Sequence, residues 1–418
     1  MSCEAEWKAQ VDDEGRLILP AEIVRRFGLR PGAKVSIDEG ATYLRLYQPT
    51  THLAKVYIEP TNGCNLKCLT CIRNIWEEPT GQMSSQTFAR ILQGLRSLPS
   101  PPIVIFGGFG EPLTHPDIVE MVAQVKTLGG SVELVTNGTM LTQEISERFI
   151  KAHLDVLWVS IDGATPESYA DVRLGAALPQ VLANLAAFRD TRMRAWLLKP
   201  EIGVVFVAMK RNVKDLPSLL QIGSRLDVTR FLVTNVLPYT EELKGEVLYS
   251  EAVLDIVYQP RLKLPRLDLP KLDVGQVGWK PLYEALRSNG QTVSMGGAMV
   301  GEASDRCPFI ERGATAISWK GDLSPCLPLM HRFVSFLDDR RRVSNSQIVG
   351  NVNDSSLTDL WNGPEYVAFR ERVGSFSFSH CVFCAGCDLS LANEQDCRGN
   401  LFPTCGGCLW AQGVIRCP

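Results

Sequence analysis

Three cysteines fall within eight residues, Cys64, Cys68 and Cys71 in "CNLKCLTC", spaced by three and then two residues. Thiolates at that spacing can converge on one inorganic centre. A structural zinc site closes its tetrahedron with a fourth protein ligand. None stands nearby: the nearest downstream histidine, His115, lies past the next expected strand. A four-iron cube also takes four ligands, so three cysteines leave one iron open for an exogenous molecule, as catalytic metal sites do. Nine more cysteines occur from residue 307 onward: Cys307, Cys326, Cys381, Cys384, Cys387, Cys397, Cys405, Cys408 and Cys417. Two fully ligated four-iron clusters need eight of them. Cys381, Cys384, Cys405 and Cys408 also read C-x2-C-x20-C-x2-C, close to a zinc ribbon, so the tail taken alone admits either metal.

The rest of the composition favours metal or redox chemistry over a disulfide framework. The 418 residues are 45% hydrophobic and 21% charged, as in an ordinary globular protein, with room for two or three cores. A formal net charge of -3 gives no reason to expect a polyanionic partner. No run of about 18 apolar residues suggests a membrane span. The polar, acidic start "MSCEAEWKAQVDDEG" is unlike an export signal. A cytoplasmic location is therefore expected, where thirteen cysteines are seldom paired.

The elements that must position these thiols follow an α/β pattern. β-type runs at 53–59, 103–106, 132–136, 156–161, 202–208 and 231–236 alternate with amphipathic helical stretches such as 85–98 and 179–190. Six such units imply a parallel sheet with right-handed crossovers, as an open doubly wound sheet or a barrel. In both, functional loops follow the C-terminal ends of strands. The polar and glycine-bearing stretches "PTNGCNLKC", "GGFGEP", "TNGT" and "DGAT" do follow expected strands. The expected organisation is a small β unit over 1–50, a β/α region over 51–237, a bridging segment over 238–300 and a Cys-rich region over 301–418. Within the bridge, 259–273 alternates leucine with polar residues and proline, which suits an edge-like extended segment. One helix is expected over 356–373.

C-x3-C-x2-C after the first strand of a β/α series resembles the signature of the radical SAM superfamily. The resemblance implies a (β/α)6 partial TIM barrel and a [4Fe-4S] cluster whose open iron is chelated by S-adenosyl-L-methionine. One electron from the cluster then cleaves the sulfonium, giving methionine and a 5′-deoxyadenosyl radical that abstracts a hydrogen atom. It further implies SAM contacts from Gly107, Gly108, Gly110 and Glu111 in "GGFGEP", with Glu111 accepting from the SAM ammonium. Thr136 and Asn137 of "TNG", Ser160 and Asp162 of "SID", and Arg173 stand where the family faces the methionyl carboxylate and ribose. One departure is Thr70, where the superfamily often has an aromatic residue before the third cysteine.

Cys307, then Gly321-x4-Cys326, then the cysteines from Cys381 resemble a SPASM domain, which carries auxiliary iron–sulfur clusters. The later spacing departs from the family's usual C-x2-C-x5-C-x3-C, leaving ligand assignment open. The final run 396–418, with "GGFGEP", resembles the subfamily that matures tungsten-containing aldehyde ferredoxin oxidoreductases. That implies a client protein or its cofactor as substrate and an electron donor such as ferredoxin or flavodoxin. A rival within the class is crosslinking of a ribosomal peptide.

Residues 15–37, "GRLILPAEIVRRFGLRPGAKVSI", resemble the AbrB-type swapped-hairpin domain, which dimerises and often binds DNA. This raises a rival of another class, a metal-sensing DNA-binding regulator. Residues 1–50 carry seven Lys/Arg and eight Asp/Glu, whereas DNA affinity rests on a basic face. Client docking or a homodimer is the better expectation. No catalytic acid or base can be named. None of the five histidines sits in a recognisable dyad, and His115 in "LTHPD" reads as a turn residue.

Overall fold

The structure is a computed structural model that describes residues 7–39, 44–76, 78–250, 266–269, 292–295, 298–300, 306–337, 339–382 and 387–418. The chain opens with two small hairpins, β1 (Gln10–Val11) with β2 (Leu17–Ile18) and β3 (Ile37–Glu39) with β4 (Leu44–Leu46). Helix α1 (Ala21–Arg26) lies between them, just before Gly28.

Six parallel strands follow in the expected runs: β5 (Lys55–Ile58), β6 (Ile103–Phe106), β7 (Val132–Thr136), β8 (Val156–Ser160), β9 (Glu201–Ala208) and β10 (Val228–Asn235). They stand side by side in chain order, so every crossover steps the same way. A doubly wound sheet would reverse its order at a switch point. Right-handed crossovers in one direction put the helices on one face. There, Val56, Ile58, Val104, Phe106, Val132 and Leu134 pack against Phe88, Ile91, Val122 and Phe149 from the connecting helices. On the opposite face Tyr57 and Ile105 meet Phe309, Ala316 and Phe378 of the C-terminal region. Burial on both faces explains why these strands read as near-continuous apolar runs.

The C-terminal region extends the same sheet. Between the two parts, β11 (Arg266–Leu269), β12 (Thr292–Met295) and β13 (Ala298–Val300) form a separate three-stranded sheet with β11 at one edge. Its strand β11 is the described part of the proline-rich run at 259–273, the remainder of which lies outside the described residues. Then β14 (Ala314–Ile317) pairs in parallel with β5, and β15 (Asp322–Ser324) joins it antiparallel. After the hairpin β16 (Phe333–Leu337) and β17 (Arg340–Ser344), strand β18 (Gly350–Asn351) completes a nine-stranded sheet. The helix expected over 356–373 is two, Leu357–Asn362 and Pro364–Ser375. Gly363 between them is extended (ψ 135°), and Pro364 has no N–H to continue a helix. These helices hold the start of the β/α region. Trp361 Nε1 and Arg370 Nε each donate to a carbonyl, Thr51 and Thr50, at 2.8 Å. The Arg370 guanidinium lies 3.7 Å over the Trp361 ring. Among the described residues no helix is long and apolar enough to cross a membrane.

Candidate active site

The loop after β5 carries Cys64, Cys68 and Cys71, all free thiols. Its backbone is clasped by side chains. Arg73 Nη2 donates to Leu66 O (2.9 Å), Asn74 Nδ2 to Cys68 O (2.8 Å) and Tyr239 Oη to Leu69 O (2.6 Å). Fixing those carbonyls fixes where the intervening thiols can reach. The Leu66 amide donates to Cys64 Sγ at 3.4 Å, and Asn137 Nδ2 stands 3.9 Å from the same sulfur. Burial pushes the Cys64 and Cys68 thiols up, and for Cys68 the Arg173 guanidinium pulls the other way.

Glycine-loop and strand-end residues surround this loop at the C-terminal end of the sheet. Gly107 and Gly108 follow β6, with Gly108 against the Glu59 side chain. A Cβ on Gly110 would lie 2.0 Å from Thr61 O, so only glycine lets the two loops close on each other. Glu111 is buried, and its carboxylate is taken up by the chain: Oε1 accepts from Thr136 Oγ1 (2.7 Å) and the Leu113 amide (3.0 Å), Oε2 from the Asn137 amide (2.7 Å). Glu111 thus ties the glycine loop to "TNG", because those strand-end amides need an acceptor. Asn137 Nδ2 donates to Asn65 Oδ1 at 2.8 Å, joining "TNG" to the cysteine loop. Ser160 is half-buried at the end of β8. Asp162 is fully buried between the Val207 amide (2.7 Å) and Arg173 Nε (2.6 Å). It therefore orients Arg173, whose Nη1 stands 3.8 Å from Cys68 Sγ. Burial works against the Arg173 charge, but Asp162 and Cys68 outweigh it and its pKa is raised.

The C-terminal thiols surround a second site, a cavity of about 70 Å³ lined by Cys307, Cys326, Cys381, Cys405 and Cys408 together with Arg342 and Trp410. Burial pushes the Cys307 thiol up to about 12, and Cys326 and Cys405 well above the ordinary thiol range. Bare thiolates are therefore unfavourable here, and a metal centre supplies the positive charge that stabilises them. Arg342 is half-buried on the same wall, donating to Gly407 O (3.0 Å) and Ser390 O (2.8 Å). A guanidinium beside these thiols favours their anionic form, which fits a thiolate-ligated cluster. Cys397 is exposed, with its sulfur 3.0 Å from Ser379 Oγ, two residues before Cys381. Cys387 is half-buried, with its carbonyl accepting from Arg340 Nη2. Cys417 lies apart from the cavity lining, accepting from Trp410 Nε1 at 3.3 Å. Cys384 lies outside the described residues. Among the described residues no three Cys, His, Asp or Glu side chains gather closely enough to clasp one metal ion.

The model of the radical SAM superfamily matches residues 58–209, and that of an iron–sulfur cluster-binding domain, SPASM, matches residues 307–388. A tungsten-containing aldehyde ferredoxin oxidoreductase cofactor-modifying protein of Pyrococcus furiosus is 31% identical over 87% of this chain and 96% of its own length. This chain belongs to the radical SAM enzymes. It is also 29% identical to an AdoMet-dependent heme synthase of Methanosarcina barkeri, over 43% of this chain and half of that protein. Among solved structures, SuiB of Streptococcus suis bound to its precursor peptide SuiA matches 80% of this chain and 70% of that one, at a TM-score of 0.50 and 17% identity, a likeness of fold. As a radical SAM enzyme with a SPASM domain, the chain uses SAM, a SAM-binding [4Fe-4S] cluster and auxiliary iron–sulfur clusters. The regulator reading is set aside accordingly.

Sequence reasoning missed several residues of the radical SAM site. Arg73 and Asn74 lie near the motif but carry no signal of their own, and Tyr239 reaches the loop from about 170 residues away. One expectation is overturned. His331 does stand between carboxylates, with Nδ1 2.9 Å from Glu78 and Nε2 3.1 Å from Glu59. Sequence separations of 253 and 272 residues hide that grouping. His115 is a buried turn residue, bonded to Met83 O and the Asp117 amide.

Proposed function

We propose that this enzyme modifies a client protein's cofactor, in the maturation of a tungsten-containing oxidoreductase. The observation that carries the reading is the similarity to the Pyrococcus furiosus cofactor-modifying protein across nearly the full length of both chains. In this reading Cys64, Cys68 and Cys71 hold the SAM-binding cluster. Held there, such a cluster would supply the single electron for reductive cleavage of SAM. Arg173, held by Asp162, presents a fixed cation beside the cluster loop for an anionic edge of the ligand. Gly107, Gly108 and Gly110 keep side chains out of its path. Thr136, Asn137 and Ser160 supply polar strand ends, and Glu111 holds Thr136 and Asn137 in register.

We assign Cys307, Cys326, Cys405 and Cys408, around the C-terminal cavity, to one auxiliary cluster. Cys381, Cys384, Cys387 and Cys397 go to the other, which leaves Cys417 on the Trp410 indole as the spare thiol. The sequential strand order supports a (β/α)6 partial barrel over 51–237, joined through 238–300 to the SPASM region at 301–418. The AbrB-like unit, residues 1–50, exposes Val11, Leu17, Ile18, Ile37, Leu44 and Leu46 on its hairpins. Apolar strands left open in that way suit a homodimer or a client surface. A ferredoxin- or flavodoxin-type donor and a cytoplasmic setting complete the reading.

The test is anaerobic reconstitution followed by SAM and dithionite. About twelve irons and sulfides per chain are expected, with methionine and 5′-deoxyadenosine formed in equal amounts. Mass analysis then compares the cofactor of a tungsten oxidoreductase before and after incubation with the reduced enzyme and SAM. An unchanged cofactor together with a crosslinked precursor peptide would replace cofactor maturation with peptide modification.

A further inference from the structure

His331 follows the short 3-10 turn Leu327–Leu329 and reaches the C-terminal end of the parallel sheet. Its ring stacks on Trp76 at 4.3 Å between centroids and meets Phe109 of the glycine loop edge-on at 5.6 Å. Trp76 and Phe109 pack with Met209 and Val236, the residues just beyond β9 and β10. The histidine thus sits at the mouth of the sheet, between the cysteine loop and the auxiliary region. Glu59, the residue after β5, is fully buried, with Oε1 accepting from the Phe109 amide at 3.1 Å and Oε2 on the ring. Glu78 is one-third exposed. Trp76 Nε1 is buried at the same place with no hydrogen-bond partner among the described residues.

A histidine that only fills space is satisfied by neutral backbone groups, as His115 is. His331 instead has a carboxylate oxygen at each nitrogen. Ionised carboxylates only accept hydrogen bonds, so the ring carries two protons or one carboxylate carries one. Either way three groups share a proton, with one end buried and one open. Burial alone would lower the His331 pKa. Glu59 and Glu78, the charged groups acting on the ring, outweigh that and raise it, and the Trp76 face favours the cation further.

We propose that Glu78, His331 and Glu59 form a proton relay that accepts a proton from an oxygen or nitrogen acid of the client bound at the sheet's mouth. The inference rests on the radical SAM maturase reading. The client's X–H bond breaks with its electron pair left on X, and an O–H bond forms on Glu78. The net charge of the triad goes from -1 to 0, and no electron is transferred. His331 and Glu59 are positioning residues: the ring, held by Glu59 Oε2 at 3.1 Å, fixes the Glu78 carboxylate through Nδ1 at 2.9 Å.

The test uses the full reconstituted chain as wild type, His331→Gln, Glu78→Gln and Glu78→Asp, labelled with [15N]histidine. The His331 ring, assigned by its loss in His331→Gln, is expected to stay doubly protonated above pH 6.5. Glu78→Gln should lower its midpoint by about one unit or more. With a tungsten oxidoreductase as client, product formed per 5′-deoxyadenosine should fall about 100-fold in His331→Gln and Glu78→Gln, and Glu78→Asp should restore most of it. A ring that is neutral at pH 7.5, a midpoint unmoved by Glu78→Gln, or a product ratio unchanged in both variants would overturn the relay. If the wild type modifies no client while the ring titrates as expected, the maturation reading fails and the shared proton stands.

Discussion

The thiols of the first loop come from eight consecutive residues, whereas those around the C-terminal cavity come from segments up to about a hundred residues apart. The first group is made by local spacing and then braced, with Arg73, Asn74 and Tyr239 holding three of the loop's carbonyls. The second is assembled by packing: Cys307 and Cys326 enter from either side of β14–β15, while Cys405 and Cys408 arrive on the final segment. Their electrostatics differ too. The first loop faces Arg173, whose charge Asp162 offsets, and strand-end polar groups. The cavity is lined mainly by apolar side chains, its thiols are strongly disfavoured as bare anions, and Arg342 forms part of its wall. The loop is tied by polar contacts to the strand ends, whereas the cavity thiols sit among apolar neighbours.

Removing one thiol from each region separates the two most sharply. Cys68→Ala should reduce 5′-deoxyadenosine formation to below about 1% of wild type while leaving about eight irons per chain. Cys405→Ala should lose about four irons and still cleave SAM. Iron analysis with chromatography of 5′-deoxyadenosine checks both, and a Cys405→Ala chain unable to cleave SAM would merge the two regions into one functional unit.

Smaller effects follow from the glycines. In Gly110→Ala the new methyl would meet the Thr61 carbonyl at 2.0 Å, backbone that no rotamer change can move. In Gly407→Ala it would meet Arg342 Nη2 at 1.8 Å, the end of a side chain that can swing away. Both should destabilise the fold, by about 1–3 kcal/mol where the neighbour yields, with Gly110→Ala the larger. Gly110→Ala should weaken SAM binding in equilibrium dialysis, and Gly407→Ala should lower auxiliary iron instead. The same loss in both variants would show that the cavity and the loop are not independent.

The mildest test concerns Lys55, on the strand that leads into the cysteine loop and bonded to Pro418 O at 2.9 Å. Burial lowers its pKa from 10.5 to about 8, against a raising influence from Glu133. Between these values the unfolded chain binds more protons than the folded one, so the Lys55 contribution to stability rises with pH across that window. Below about 8 its burial cost is full and constant. Lys55→Met should flatten the dependence of the unfolding midpoint between pH 8 and 10.5. An unchanged slope would show that the amine is hydrated in the folded chain.

Much of the β/α region was legible because its signals are local. Most strand runs are apolar on both faces, the edge strand β10 excepted, and each functional loop carries its own glycine, cysteine or polar punctuation. The helix break at Gly363–Pro364 is equally local, since Pro364 has no N–H to continue the first helix. The role of Glu111 was harder to read. Its place in "GGFGEP" says nothing of the Thr136 hydroxyl or Asn137 amide that occupy its oxygens. Tyr239, Glu59, Glu78 and His331 carried no sequence signal, because their contacts span 165 to 272 residues.

By itself, the sequence determined the three-thiol loop, the parallel β/α order and the family, because short spacings and strand periodicity are properties of neighbouring residues. Tertiary structure alone decided which C-terminal thiols share a cavity, that the SPASM region continues the main sheet through β14, and that one histidine joins two carboxylates. Those outcomes depend on which distant segments come to share a buried space, and the free energy of that choice is spread over the whole core rather than written in any one stretch of chain.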